Sequence, residues 1–143
     1  MRSIAVLALL LLVACDRSPT APANRLLVTA FATPDSVRAG SSTVVIIGIT
    51  NVSNTPQTYE SNFCGSAYHI FDTAGKRLDP EPFCAAVSLP KTLAPGAQDV
   101  YSAEWETTAG SPTSLLPAGT YTIRGAVDGA GVENLPYTVQ VLP

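Results

Sequence analysis

An all-β domain, folded as an antiparallel sandwich of seven to nine short strands, is what this sequence predicts. Three observations lead there. Only 13% of the residues are charged, about half the usual share. Five Glu, three Gln and two Lys leave a solvent-facing helix without its preferred residues, whereas 13 Val and 15 Thr suit pleated, half-buried strands. Twelve Pro and ten Gly are spread as punctuation, and between them lie short runs at sandwich spacing, several alternating apolar with polar residues.

In order, "RLLVTAFATP" (25–34) reads as the first strand, broken by Pro34-Asp35-Ser36. Ala39-Gly40-Ser41 is a turn before "STVVIIGITN", the strongest strand. There Val45, Ile47 and Ile49 share one face, with Val44 and Ile46 on the other, so this strand is central or its outer face is partly covered. "NVSNTP" (51–56) is a loop, and "QTYES" a short strand. "AYHIFD" and "KRLDP" flank "TAG" as a hairpin. "FCAAVSL" (83–89) is a further strand, and "LAPGAQ" a tight turn before "DVYSAEW", where Tyr101, Ala103 and Trp105 share a face. "ETTAGSPTSLLPAG" is the longest loop. "TYTIRGAV" places Tyr121, Ile123, Gly125 and Val127 inward. "NLPYTVQVLP" places Leu135, Tyr137, Val139 and Val141 inward as one strand.

The 143 residues are enough for one domain. The first fourteen stand apart from it. Arg2 precedes an unbroken apolar run from Ile4 to Ala14, too short at ~1.5 Å per residue to cross a ~30 Å hydrocarbon core. It fits the hydrophobic region of a secretory signal. Leu12-Val13-Ala14-Cys15 resembles the bacterial lipobox, which implies cleavage before Cys15, a lipid on its thiol, usually an acyl group on the new amine, and firm membrane anchoring. The alternative is an ordinary secretory signal with a cysteine near its end by chance. Residues 16–24 read as an exposed tether. The expected division is therefore a signal at 1–14, a lipidated Cys15 with tether at 15–24, and a domain at 25–143, exported and held on the cell envelope. Inner and outer membrane are not distinguished.

With Cys15 set aside, Cys64 and Cys84 remain as one pair. An oxidising compartment allows them a disulfide closing a loop of about 20 residues, worth roughly 3 kcal/mol in the chain-entropy model. Two cysteines and His69, the single histidine, fall short of a structural zinc shell, so no metal or other cofactor is expected. No basic cluster points to nucleic acid. His69 lacks a G-x-S-x-G nucleophile elbow to serve, and Glu104 and Glu106 read as a solvated strand face. A catalytic site is not expected.

"LPAGTY" (116–121) puts a Tyr just after a Pro/Gly turn at a strand start. This resembles the tyrosine corner of immunoglobulin-like sandwiches, in which the phenol bonds back to upstream backbone; a buried aromatic in any hairpin is the plainer alternative. The fold class expected is thus an immunoglobulin-like sandwich. "ITNVSNTPQTY", a Cys, "FDTAGKRL", "LAPGAQ", a strand ending in Trp105 and "LPAGTYTIRG" follow one another over roughly Leu26 to Val141. In that order they are similar to the intracellular proteinase inhibitor family of bacilli and its secreted relatives. The resemblance implies a non-catalytic domain that binds a protein, with a protease as the sharpest partner. The best contact is then the hairpin tip Gly75, Lys76 and Arg77, for which an ordinary polar turn is the plain alternative. Two other functions stand beside it: a structural or accessory envelope lipoprotein, and a carbohydrate-binding sandwich. The last would need exposed aromatics from among Trp105, Tyr59, Tyr68 and Tyr101.

Overall fold

The computed structural model describes residues 25–61, 67–79, 89–109, 114–127, 129 and 131–143. Cys15, Cys64 and Cys84 lie outside the described residues, as does most of the strand expected at 83–89.

Twelve strands form among the described residues: β1 (Leu26–Thr33), β2 (Ser36–Arg38), β3 (Ser42–Asn51), β4 (Gln57–Glu60), β5 (Tyr68–Phe71), β6 (Pro90–Leu93), β7 (Gln98–Glu106), β8 (Thr108–Ala109), β9 (Ser114–Leu115), β10 (Gly119–Gly125), β11 (Val132–Leu135) and β12 (Tyr137–Leu142). Eight of them build two four-stranded sheets, ordered β11-β1-β3-β7 and β2-β12-β10-β5. Two short ribbons, β4-β6 and β8-β9, complete the described pairing. The architecture is an all-β immunoglobulin-like sandwich; its two main sheets hold eight strands, and the two short ribbons bring the number among the described residues to twelve, above the expected seven to nine.

The core forms where the inward rows of the sheets meet. Val28, Val45, Ile47 and Ile49 of the first sheet and Ile70, Ile123, Val139 and Val141 of the second are at most 2% exposed. Each such side chain contributes about 1.5–3 kcal/mol on burial. Sheet packing is close enough that Gly125 is required. A Cβ there would lie 2.3 Å from Val28 Cγ1 and 3.2 Å from Ile47 Cγ2.

Two crossings between the sheets fall at prolines. β1 belongs to the first sheet and β2 to the second, with Pro34 between them. β11 and β12 divide in the same way around Pro136. Proline has no N–H to continue a ladder, so each is a natural point for a strand to change sheets. This corrects the reading of "NLPYTVQVLP" as one strand. Leu135 pairs with Thr29 on the first sheet and is 43% exposed, whereas Val139 and Val141 point into the core. Two further differences are local. The long loop after Trp105 contains the small β8-β9 ribbon, and Pro90–Leu93 forms a strand by pairing with β4.

The tyrosine corner is present. Tyr121 Oη donates to Pro117 O at 2.7 Å, and its ring meets Trp105 edge-on at 6.3 Å between centroids. Burial, with the negative charge of Asp72 second, pushes its phenol above the ordinary tyrosine range.

Asn51 is fully buried and ties three segments together. Its Nδ2 donates to Thr55 O at 2.8 Å and to Leu93 O at 2.9 Å. Its Oδ1 accepts from Ser53 N at 3.0 Å and lies 2.7 Å from Ser53 Oγ. Its backbone carbonyl accepts from Gly96 N–H at 2.9 Å, in the "LAPGAQ" turn where Gly96 has φ 74°. The "NVS" sequence is thus a structural staple.

Candidate binding surface

The turn after β5 begins as a backbone problem. Reversing the chain over "DTAGKR" leaves several N–H groups without strand partners, and Asp72 takes them. Its Oδ1 accepts from Ala74 N at 2.9 Å and Lys76 N at 2.8 Å. Its carbonyl accepts from Gly75 N, and its own N–H donates to Lys76 O, both at 3.0 Å. Gly75 supplies the left-handed corner at φ 78°, a region other residues enter only with strain. The tip is consequently fixed, with residues 73–76 all exposed.

Of the three expected contact residues, Gly75 and Lys76 stand at this tip and Arg77 does not share their freedom. Arg77 bridges to Phe71 across the turn. Its Nε and Nη2 donate to Asp79 Oδ2 at 2.8 and 2.7 Å. His69 Nδ1 lies 3.1 Å from the same oxygen, and Ile70 N–H donates to Oδ1 at 2.9 Å. Burial acts to raise the Asp79 carboxyl, but the hydrogen bonds from His69, Arg77 and Ile70 outweigh it and hold it well below the usual carboxylate range. Among the described residues His69 is an orienting partner of Asp79, with no hydroxyl hydrogen-bonded to its ring.

Behind the turn is an open cleft of about 180 Å³, lined by Tyr68, Ile70, Asp79, Glu104, Trp105, Glu106 and Thr108. Glu104 and Glu106 are exposed, as a solvated strand face should be, and Ser42 Oγ hydrogen-bonds to Glu104. Trp105, Tyr59 and Tyr68 are each 5–6% exposed, so none of the three offers a flat platform to a sugar. No group of three metal-ligating side chains occurs among the described residues.

One polar cluster was not foreseen from sequence. Tyr59 Oη donates to Asp99 Oδ2 at 2.7 Å and lies 2.6 Å from Tyr101 Oη. Lys91 Nζ reaches Asp99 Oδ2 at 2.9 Å and sits 5.6 Å from the centre of the Tyr101 ring. Burial, then the bonds with Tyr101 and Asp99, drives the Tyr59 phenol far above its ordinary range. The Lys91 ammonium lowers the Asp99 carboxyl, and Asp99 in turn raises Lys91. The cluster joins the β4-β6 ribbon to β7. Its only signal in the sequence is β-register, since Tyr59 pairs with Lys91 across the ribbon and Asp99 and Tyr101 lie two apart on one strand.

The outer faces of the two sheets differ. On the second sheet it carries polar residues such as Thr120, Thr122, Thr138 and Gln140, with Thr120 and Gln140 hydrogen-bonded. On the first sheet it carries Phe31, Val44, Val100 and Leu135, 43–62% exposed.

No protein-family model matches the sequence, and no curated protein matches it either. Solved structures do resemble it in fold. A CARDB domain of a Pyrococcus furiosus protein, solved in complex with di-metal ions, superposes with a TM-score of 0.50 at 15% identity, over 81% of this chain and 91% of that one. A β-glucosidase from Erythrobacter marinus superposes with a TM-score of 0.51 at 13% identity, over 82% of this chain but 15% of the enzyme. At such identities the likeness shows the immunoglobulin-like fold alone.

Proposed function

We propose that the protein is an exported, lipid-anchored, non-catalytic envelope domain that binds another protein through the β5 turn, with Lys76 as the residue it presents. The observation carrying this reading is the Asp72-braced tip. Two side-chain-to-backbone bonds and a glycine corner hold an exposed lysine in one backbone conformation. A contact loop fixed before binding loses little conformational entropy on docking. Arg77 acts as the strut at the turn's base, through Asp79, more than as a contact. The lipobox-like Leu12–Cys15 and the family resemblance support the anchor and the inhibitor-like role. Under this reading Cys64 and Cys84 form a disulfide that braces the segment containing the turn.

The test is titration of the full mature chain against trypsin-like envelope proteases, which accept Lys in their specificity pocket. Inhibition that Lys76→Ala weakens at least tenfold supports the reading. No inhibition, with rapid cleavage after Lys76, refutes the inhibitor form. Mass spectrometry of the membrane fraction tests the anchor separately: a Cys15 without lipid would refute it.

A further inference from the structure

A sandwich turns two sheet faces outward, and here they differ in kind. On the first sheet the register sets the outward apolar residues side by side. Phe31 lies opposite Ile46. Val44 stands two residues from Ile46 on the same strand, and Val100 is diagonal to it through its pairing with Gly48. Leu135 is diagonal to Phe31 through its pairing with Thr29. Direct and diagonal neighbours on one face lie within side-chain reach, so these residues form one patch, unlike the scattered apolar side chains of any surface. Phe31, Val44, Val100 and Leu135 keep 43–62% of their surface exposed.

Charge is confined to the two ends of this patch. At one end Glu133, opposite Leu27, is paired with Arg25. At the other, Glu104, opposite Val44, takes the Ser42 hydroxyl. The cross-strand rows through Thr29 and Phe31, between those ends, hold no charged side chain. The second sheet instead carries Arg38 and Arg124 outward, both exposed, among its threonines.

The strand that supplies Phe31 is also the one to which the anchor leads. Ten Cα steps separate Cys15 from Arg25, the residue before β1, a span of at most roughly 35 Å. A lipidated Cys15 therefore holds the start of β1 within that distance of the bilayer. A contact joined to its anchor by so short a tether sees an effective concentration on the order of millimolar. A patch of a few half-exposed apolar side chains, too weak to recruit a free domain, then suffices to seat a tethered one.

We propose that the outer face of the first sheet rests on the lipid surface that holds the anchor, with Phe31, Val44, Ile46, Val100 and Leu135 at the boundary of headgroups and acyl chains. That orientation presupposes the lipid anchor proposed above. It turns the second sheet, to which β5 and its turn with Lys76 belong, away from the membrane and towards soluble partners.

The test is quenching of tryptophan fluorescence by brominated acyl chains. The full lipidated mature chain is reconstituted into phosphatidylcholine vesicles holding about one-fifth phosphatidylglycerol, with and without bromine on the chains. Trp105 is buried in the core and gives a common background. Val100→Trp should lose at least about half of its added emission to bromine, because an interfacial apolar face sinks to the acyl boundary. Thr138→Trp, exposed on the second sheet, should lose none. Adding Ser102→Asp to Val100→Trp puts a carboxylate on an exposed position beside Ile46 and should cut the quenching at least twofold, while circular dichroism melts stay unchanged. Quenching indifferent to Ser102→Asp, or as strong at residue 138 as at residue 100, would overturn the proposal. So would a chain that floats with the vesicles but is quenched at neither position. In that case blue-shifted Val100→Trp emission means that a protein surface, a second copy included, covers the face, and red-shifted emission means that water does. A chain that does not float with the vesicles lacks the anchor, which overturns both readings.

Discussion

Replacing Asn51 with Asp changes one NH₂ group for an oxygen, with no change in shape, inside a fully buried site. The side chain of Asn51 uses both of its amide hydrogens, at 2.8 Å to Thr55 O and 2.9 Å to Leu93 O. In Asn51→Asp two carbonyl oxygens instead face a carboxylate oxygen. Two donated hydrogen bonds are lost, although Thr55 O keeps Ser53 Oγ as a partner at 2.9 Å, and a charge is buried facing two carbonyl dipoles. The two lost hydrogen bonds cost about 0.5–1.5 kcal/mol each, and the buried carboxylate adds a desolvation cost of at least about 2 kcal/mol, so the variant should lose roughly 3–5 kcal/mol at pH 7. That is a large share of the ~5–15 kcal/mol that holds a domain folded. Protonation restores one donor, so the folded state holds its proton more tightly than the unfolded chain does. The folded pKa is therefore raised above the ~3.9 of a free Asp. Between the two values the native state binds more protons than the unfolded state, and stability must fall as pH rises, by up to about 1.4 kcal/mol per unit. The deficit against the parent should be smallest near pH 4 and largest at neutral pH. Urea unfolding followed by the fluorescence of Trp105, the single and buried tryptophan, measures this at each pH. Asn51→Ala, lacking a titrating group, should lose a similar amount with no added pH dependence. A deficit below about 1 kcal/mol at pH 7, or one that does not change with pH, would refute the staple.

Three further outcomes are expected. Gly125→Ala should destabilise by about 1–3 kcal/mol through overpacking against Val28, and Val28→Ala in the same chain should recover part of that loss, read as a coupling in a double-mutant cycle. Tyr121→Phe should lose about 1 kcal/mol with the 2.7 Å bond to Pro117 O, while near-UV circular dichroism, which reports its packing against Trp105, stays largely unchanged. Asp79 has a folded pKa below its unfolded value, so its contribution is present above about pH 4 and is lost as pH falls towards the folded value. Asp79→Asn should therefore lose about 1–3 kcal/mol at pH 7 and show a flatter acid limb in thermal melts below pH 4.

The division between sequence and structure follows from the range of the forces involved. The alternation of Val45, Ile47 and Ile49, and of Tyr121, Ile123 and Gly125, is local, and so are the turns at Gly40, Gly75 and Gly96. Period-two burial and left-handed glycines are written in neighbouring residues, which is why the sandwich and its tyrosine corner were legible before any coordinates. The β5 turn was legible for the same reason, since Asp72 caps groups two and four residues away. Which sheet a strand joins is not local. Pro136 has no N–H wherever it stands, but only packing sends Leu135 to one sheet and Tyr137 to the other. Asn51 looks like any loop asparagine until Leu93, far along the chain, brings its carbonyl to it. Arg77 looks as free as Lys76 until Asp79 takes its guanidinium. The sequence alone determined the class of fold and the exposed tip, because each depends on residues a few positions apart. The tertiary structure decided the pairing of edges, the buried staple and the cluster of Tyr59, Lys91, Asp99 and Tyr101, because each is a meeting of segments that only the closed sandwich brings together.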